Sequence, residues 1–334
     1  MINELETNKA YACKLALLEC SKAKTKAGKD YLRLTLTDGT TQVQGNYWDW
    51  AGGDNTPPIN KVYVVSCTVN EWNGGKQLNV TKMVLQDDAD LNEFRPRFAD
   101  ASVTEALYQD ALKLIDEMDS EPLKKICMDI YTSLKQAWLT VPAAKGMHHA
   151  YVAGNLIHSY NVACIAKEIA TVVAADVDLC IAGGLLHDVG KLITYTWDGI
   201  RIDMTPYGQL HDHIVLGNNI VSSTCQYLHI DAELEMLLNH IILSHHGKKE
   251  YGSPVEPKCI EALIVSHADG LDASIEAIRS AAVPPNNIWT EKVYAAGGYN
   301  YLDQNVVSAI VAGAVREPSW EDDVADCMKQ EPIV

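Results

Sequence analysis

The spacing of hydrophobic positions along this chain changes near residue 102. Between residues 11 and 85 apolar residues come in short, partly alternating runs, as in YLRLTLTDGTTQVQGNYW and KVYVVSCTVNEW. A TKAGKD loop, a DG turn and an NGG turn interrupt them. A period of two places successive side chains on opposite faces of a strand, and such turns supply the positive φ of tight hairpins. About five strands connected in this way suit a small antiparallel β-barrel of the OB-fold kind, with a split sandwich as the alternative.

From residue 102 apolar positions recur at three and four residues, the period of an amphipathic helix. VTEALYQDALKLIDEMD, YVAGNLIHSYNVACIAKEIATVV, DLCIAGGLLHDVGKL, AELEMLLNHIILSHH and KCIEALIVSHADGLDASIEAIR all read this way, while TYTWDGIRIDMTPYGQL reads as a short hairpin or loop between helices. The expected organisation is multidomain. A barrel spans residues 1–86, a linker 87–101, an all-α helical bundle 102–315 and an acidic tail 316–334.

Hydrophobic residues make up 47% and charged residues 21%, enough for packed cores and unlike a disordered chain. The N-terminus has no basic stretch leading into a long apolar run, and no run is long enough to span a bilayer, so a cytoplasmic protein without a membrane partner is expected. Nine dispersed cysteines without a CxxC pair fit reduced thiols better than disulfides or a zinc ribbon. The net charge of −17 would disfavour a nucleic-acid partner if it were evenly spread. It is not: residues 1–86 hold 10 Lys+Arg against 8 Asp+Glu, leaving 17 against 36 for the remainder.

Histidine is more uneven still, because all 11 lie between His148 and His267. Neutral imidazole is the commonest metal ligand, so a metal centre is the first reading. The core signal is GLLHDVGK, with His187 and Asp188 adjacent. His158 precedes it on another helix, and Asp269 lies on a late one. Inward side chains from facing helices are how bundles build metal sites. His213, at the start of a helix, and His245 and His246, at the end of another, enlarge the set. If Asp188 bridges, one ion would take His158, His187, Asp188 and Asp269, and a second would share Asp188 and add His213, His245 and His246. Two ions roughly 3.5–4 Å apart would activate hydroxide for an in-line phosphoryl displacement.

Other residues are less decisive. His148 and His149 either touch substrate at the mouth of the site or cap the following helix. His229, His240 and His267 read as structural. Asp272 fits either an orienting partner of a ligand or an ordinary polar position. Lys191, four residues after His187, shares its face if the helix continues, and would then offset phosphate charge as a catalytic group beside Asp188. Gly190 fits a close turn or a helix C-cap. In the barrel, Lys22, Lys24, Lys26, Lys29 and Arg33 cluster around one loop, with Tyr31, Trp48 and Trp72 interleaved among further aromatics. Cationic loops beside stacking platforms grip single strands, though the same residues also serve as solubilising charge and barrel core.

These segments together resemble the YhaM-type 3′→5′ exoribonucleases, which join an OB-fold to an HD domain. PAAKGMHHAYVAGNLIHSYNV, AGGLLHDVGKL, YGQLHDHIVLG and HIILSHHGKKEYGSP leading to ADGLDA carry the likeness, which covers about residues 11–305. The resemblance implies exonucleolytic cleavage of single-stranded RNA, and of DNA as a further substrate, from the 3′ end. It implies manganese, with cobalt, iron, magnesium and nickel as alternatives, held by His158, His187, Asp188, His213, His245, His246 and Asp269. Two other readings stand beside it: hydrolysis of a small or cyclic nucleotide, and non-catalytic binding of single strands. Cyclic-dinucleotide HD proteins carry a GYP element after the HH pair, and GKKEYGSP lacks it. A homo-oligomer is left open.

Overall fold

The computed structural model describes residues 2–50, 55–72, 75–97, 101–145, 149–281 and 288–302. Five strands close into a barrel: β1 (Ala10–Lys24), β2 (Asp30–Thr37), β3 (Gln42–Tyr47), β4 (Lys61–Trp72) and β5 (Gly75–Leu85). Their order is β1-β2-β3-β5-β4, and every pairing is antiparallel except β3 with β5, where Gln44 faces Gln77. This is the OB-fold barrel rather than a split sandwich. Alternation explains it, since Leu15 and Leu17, Leu32, Leu34 and Leu36, Val65 and Val69, and Leu78 all point into one core. β1 slips register between Leu17 and Glu19, the irregularity that bends a long strand around a barrel. Beyond the slip, Leu18 joins Ala16, Val62, Phe94 and Ile200 in a second cluster that packs the barrel against the helical part.

The helical part comprises α1 (Ala101–Asp116), α2 (Glu121–Ser133), α3 (Lys135–Trp138), α4 (Gly154–Val173), α5 (Val177–Leu186), α6 (Lys191–Thr194), α7 (Pro206–Tyr227), α8 (Ala232–Ser244) and α9 (Ile260–Arg279). The stretch between α6 and α7 is a hairpin of β6 (Tyr195–Asp198) and β7 (Arg201–Met204). Tyr131 stacks on Trp138 at 4.3 Å, and Tyr108 donates to the Tyr131 carbonyl, so the aromatics of α1–α3 anchor the core. α5 is apolar all round and buried, as the innermost helix must be. The described residues after Glu276 fall in a second compact unit, and the acidic tail expected at 316–334 lies outside the described residues. Among the described residues no helix is long and apolar enough to cross a membrane.

Candidate metal centre

Two glycines allow the helices that carry the site to meet. A Cβ on Gly184 of α5 would lie 2.5 Å from Ala163 Cα, so only glycine lets α4 and α5 cross this closely. That crossing brings His158, inside α4, beside His187, the residue after α5. Gly190 has ordinary right-handed helical φ and ψ, so of its two readings, a close turn or a helix C-cap, the left-handed C-cap does not apply. Its bare Cα instead lets α7 approach, since a Cβ there would strike the His213 carbonyl and the Gly217 amide.

α7 is broken at Asp212, whose φ of 59° and ψ of 162° interrupt the helix and aim His213 inward. The helix does not continue from His187 to Lys191, the condition on which the two would share a face. α5 ends at Leu186, a turn follows, and Lys191 starts α6. Its ammonium nevertheless reaches the site, 2.5 Å from Asp188 Oδ2, and the side chain is buried rather than solvated.

Asp188 lies at the centre. Its Oδ2 is 3.5 Å from His158 Nε2 and 3.4 Å from His187 Nε2. Its Oδ1 is 3.5 Å from His213 Nε2 and 3.6 Å from His245 Nε2. Asp269 Oδ1 completes the first side, 3.1 Å from His158 Nε2 and 3.9 Å from His187 Nε2. On the second side the ring of His246 packs 4.3 Å from that of His245 and 5.1 Å from that of His213. Within each trio, His158 with His187 and Asp269, and His213 with His245 and His246, one donor atom per residue lies within 4.8 Å of the others. All seven residues named from the sequence are therefore brought together.

The outer nitrogens show which way each imidazole is turned. The Nδ1 atoms of His187, His245 and His246 face the carbonyls of Gly184, Ile242 and Tyr251 at 2.7–2.9 Å. A carbonyl only accepts, so Nδ1 carries the proton and Nε2 presents its lone pair inward in the neutral ring. His213 Nδ1 faces Asp212 at 2.6 Å and His158 Nδ1 faces Asp272 at 2.7 Å. Asp188 Oδ1, His213 Nε2 and His245 Nε2 are buried without any hydrogen-bond partner in the protein, which is costly for polar atoms. All three face the second side, where a divalent ion would satisfy them, and the imidazoles and carboxylates of both sides suit such an ion. The residues present thus fit metal.

The electrostatics agree. Burial pushes the Asp188 carboxyl up, but Lys191 and His187 outweigh it and hold it well below the usual carboxylate range. Asp269 is likewise held low against burial, chiefly by His158. Burial opposes charge on His158, yet its hydrogen bonds to Asp269 and Asp272 raise its pKa to about 9. His245 goes the other way, lowered well below its ordinary value by burial and by His187, and burial lowers His246 too.

His149 is not at the mouth of the site. It is 2% exposed, with Nε2 2.8 Å from Asp272 Oδ2 and Nδ1 against Tyr151 Oη. Asp272 also takes a bond from Asn161, so it is an orienting partner of His158 rather than an ordinary polar position. His149, His158 and Asp272 lie close enough to hold an ion, but their facing atoms already satisfy one another. His148 lies outside the described residues. His240 accepts from the Lys258 amide, a structural task.

Sequence reasoning missed Asn155, whose amide donates to the Asp188 carbonyl, and Asp212, although the latter sits directly before His213 in LHDHIVLG.

On the barrel, Trp48 is 38% exposed and stacks on Tyr31 at 4.4 Å. Tyr31 is buried, so it is the floor beneath Trp48 rather than an open platform. These two line a cavity with Arg33, Gln44, Asn46 and Gln77. Lys22 and Lys24 extend from β1, and Lys26 and Lys29 from the loop after it. Lys29 pairs with Asp49 at 2.6 Å and Lys24 lies 4.0 Å from Asp30. The Trp72 side chain lies outside the described residues.

Residues 155–274 match the family model described as HD domain, and all seven central residues fall in that span. The chain is also similar to the HD domain of the phosphodiesterase PgpH from L. monocytogenes. Identity is 18%, over 60% of this chain and 89% of that one, with a TM-score of 0.30. For the same domain in complex with cyclic-di-AMP, the values are 19%, 60%, 86% and 0.29. The match to the HD domain thus covers residues 155–274, the part of the chain that carries the metal-site candidates, and a five-stranded barrel precedes it in the sequence.

Proposed function

We propose that this protein is a metal-dependent phosphodiesterase that removes nucleotides from the 3′ end of single-stranded RNA, and of single-stranded DNA as a further substrate. The observation that carries the reading is the division of Asp188, one oxygen toward His158 and His187 and the other toward His213 and His245. His158, His187, Asp269 and Asp188 Oδ2 would hold one divalent ion. His213, His245, His246 and Asp188 Oδ1 would hold the other. Manganese is the ion we assign, on the resemblance to the YhaM-type enzymes. When bound, such a pair supplies positive charge against a phosphodiester and makes water acidic enough to attack it near neutral pH.

The rest is the work of the chain itself. Carbonyls hold His187, His245 and His246 in the tautomer that turns the Nε2 lone pair inward, and carboxylates orient His158 and His213 through Nδ1. Lys191 keeps Asp188 ionised and adds positive charge where a phosphate would approach. The barrel supports the choice of a strand over a small nucleotide, because Trp48 on its Tyr31 floor, Arg33 and the lysines of the first hairpin offer stacking and backbone charge together. The 3′ polarity rests on the resemblance alone.

The test is product sizing on 5′-labelled RNA with free or blocked 3′ ends, in manganese. Stepwise shortening of the free strand and protection of the blocked one are expected. Digestion of a cyclic dinucleotide with RNA left intact would replace this reading with the small-nucleotide one.

A further inference from the structure

Beside the candidate metal centre lies a cavity that joins polar groups to an apolar patch no phosphate needs. It has a volume of about 460 Å³, and one side is formed by His245, His246 and Asp269. The lining also holds apolar groups, Tyr251, 62% exposed, with Pro257 and Leu263, beside the polar Ser266 and His267. A phosphodiester calls for cations and hydrogen-bond donors, and an open aromatic ring beside proline and leucine serves it poorly. A nucleobase has flat, weakly polar faces and stacks on such rings whatever its sequence. The volume lies in the range of roughly 300–1,000 Å³ that suits one small ligand. Lys248 stands at the rim, its ammonium 5.5 Å from the Tyr251 ring centre and 3.4 Å from Glu250.

The position of Tyr251 is tied to the site by its own main chain. Its carbonyl accepts from His246 Nδ1 at 2.9 Å, so the residue that would stack a base also orients a candidate ligand. The backbone that carries the ring is thereby held beside His246.

We propose that this pocket binds the base and sugar of the single nucleotide next to the scissile phosphate, with the base against Tyr251. The inference rests on the phosphodiesterase reading. In the hydrolysis, water adds its oxygen to phosphorus and the bond from phosphorus to the O3′ of the preceding nucleotide breaks. That O3′ leaves with a proton as the new 3′ hydroxyl, and the unit in the pocket departs as a nucleoside 5′-monophosphate. A pocket sized for one nucleotide makes Tyr251 a specificity-determining residue, one that measures out one unit per cut.

Calorimetric titration of the manganese-loaded full chain with AMP and with ribose 5-phosphate tests this, since the two probes differ only in the base. AMP is expected to bind roughly tenfold or more tightly. Tyr251→Ala should erase that preference while leaving ribose 5-phosphate and manganese binding in place, because the carbonyl facing His246 remains. Tyr251→Phe should keep the preference. Equal binding of both probes to the native protein, or an AMP preference that survives Tyr251→Ala, overturns the pocket even where RNA is digested. An AMP preference in a protein that cuts no strand upholds the pocket and refutes the nuclease. Failure of both probes to bind in manganese overturns both.

Discussion

The two sides of Asp188 share imidazole donors but differ in the third donor, Asp269 on the first and a third histidine on the second, and in how single rings are anchored. On the first side, His158 leans on carboxylates, with Asp269 at one nitrogen and Asp272 at the other. On the second, His245 and His246 lean on main-chain carbonyls, as His187 does on the first, while His213 leans on Asp212, so the sharpest contrast is between His158 and His245. Carboxylate anchors stabilise a charged ring and raise its pKa, whereas carbonyl anchors in a buried setting leave a neutral ring. Identical side chains therefore offer their lone pairs over different pH ranges. An ion entering the first side must displace a proton from His158 below about pH 9, while His245 is already neutral.

The substitution with the largest expected effect acts on both sides at once. Asp188→Asn removes the shared charge and should cut hydrolysis by roughly a thousandfold or more. Single-strand binding by the barrel, measured by fluorescence anisotropy, should change little.

Asp272→Asn comes next and should separate the two sides. It weakens the support of His158 and lowers that ring's pKa, so one ion of the pair should lose about 10–100-fold in affinity while the other is held as before. Calorimetry over a pH series reads both effects. In the native protein the affinity of the weaker ion should climb until about pH 9. In the variant that climb should end at lower pH. The sign for stability is opposite. His158 has a folded pKa above its ordinary 6.5, so its contribution to the ion-free protein is complete below that value and is lost as pH rises through about 9. Equal losses for both ions in Asp272→Asn would break the comparison.

Asp212→Asn should sharpen it from the second side, with a loss of about tenfold or less, because Asp212 is largely exposed and the amide oxygen can still accept from His213.

The smallest effect lies on the barrel. Trp48→Ala should weaken long single strands by about 1–3 kcal/mol in anisotropy titrations and leave manganese affinity unchanged.

These differences also mark what the sequence could reveal. The barrel was legible because Leu32, Leu34 and Leu36 alternate and Asp38–Gly39 announces a turn. The seven central residues were legible because imidazole is rare elsewhere in the chain and cannot crowd onto inward helix faces without a purpose. Their supports were hidden for a physical reason. The carbonyls of Gly184, Ile242 and Tyr251 belong to the main chain, and no residue type signals which carbonyl a ring will meet. The break at Asp212 was equally silent, since positive φ is expected of glycine. His149 fitted either the mouth of the site or a helix cap, yet its left-handed backbone goes with a ring turned inward to Asp272. Exposed barrel residues left the weakest trace, because solvated lysines and strand-gripping lysines have the same composition.

Electron paramagnetic resonance of the protein loaded with two equivalents of manganese tests the shared carboxylate most directly. Two ions joined through Asp188 should give an exchange-coupled spectrum that Asp188→Asn abolishes. A simple six-line signal from isolated ions in the native protein, at full loading, would contradict it.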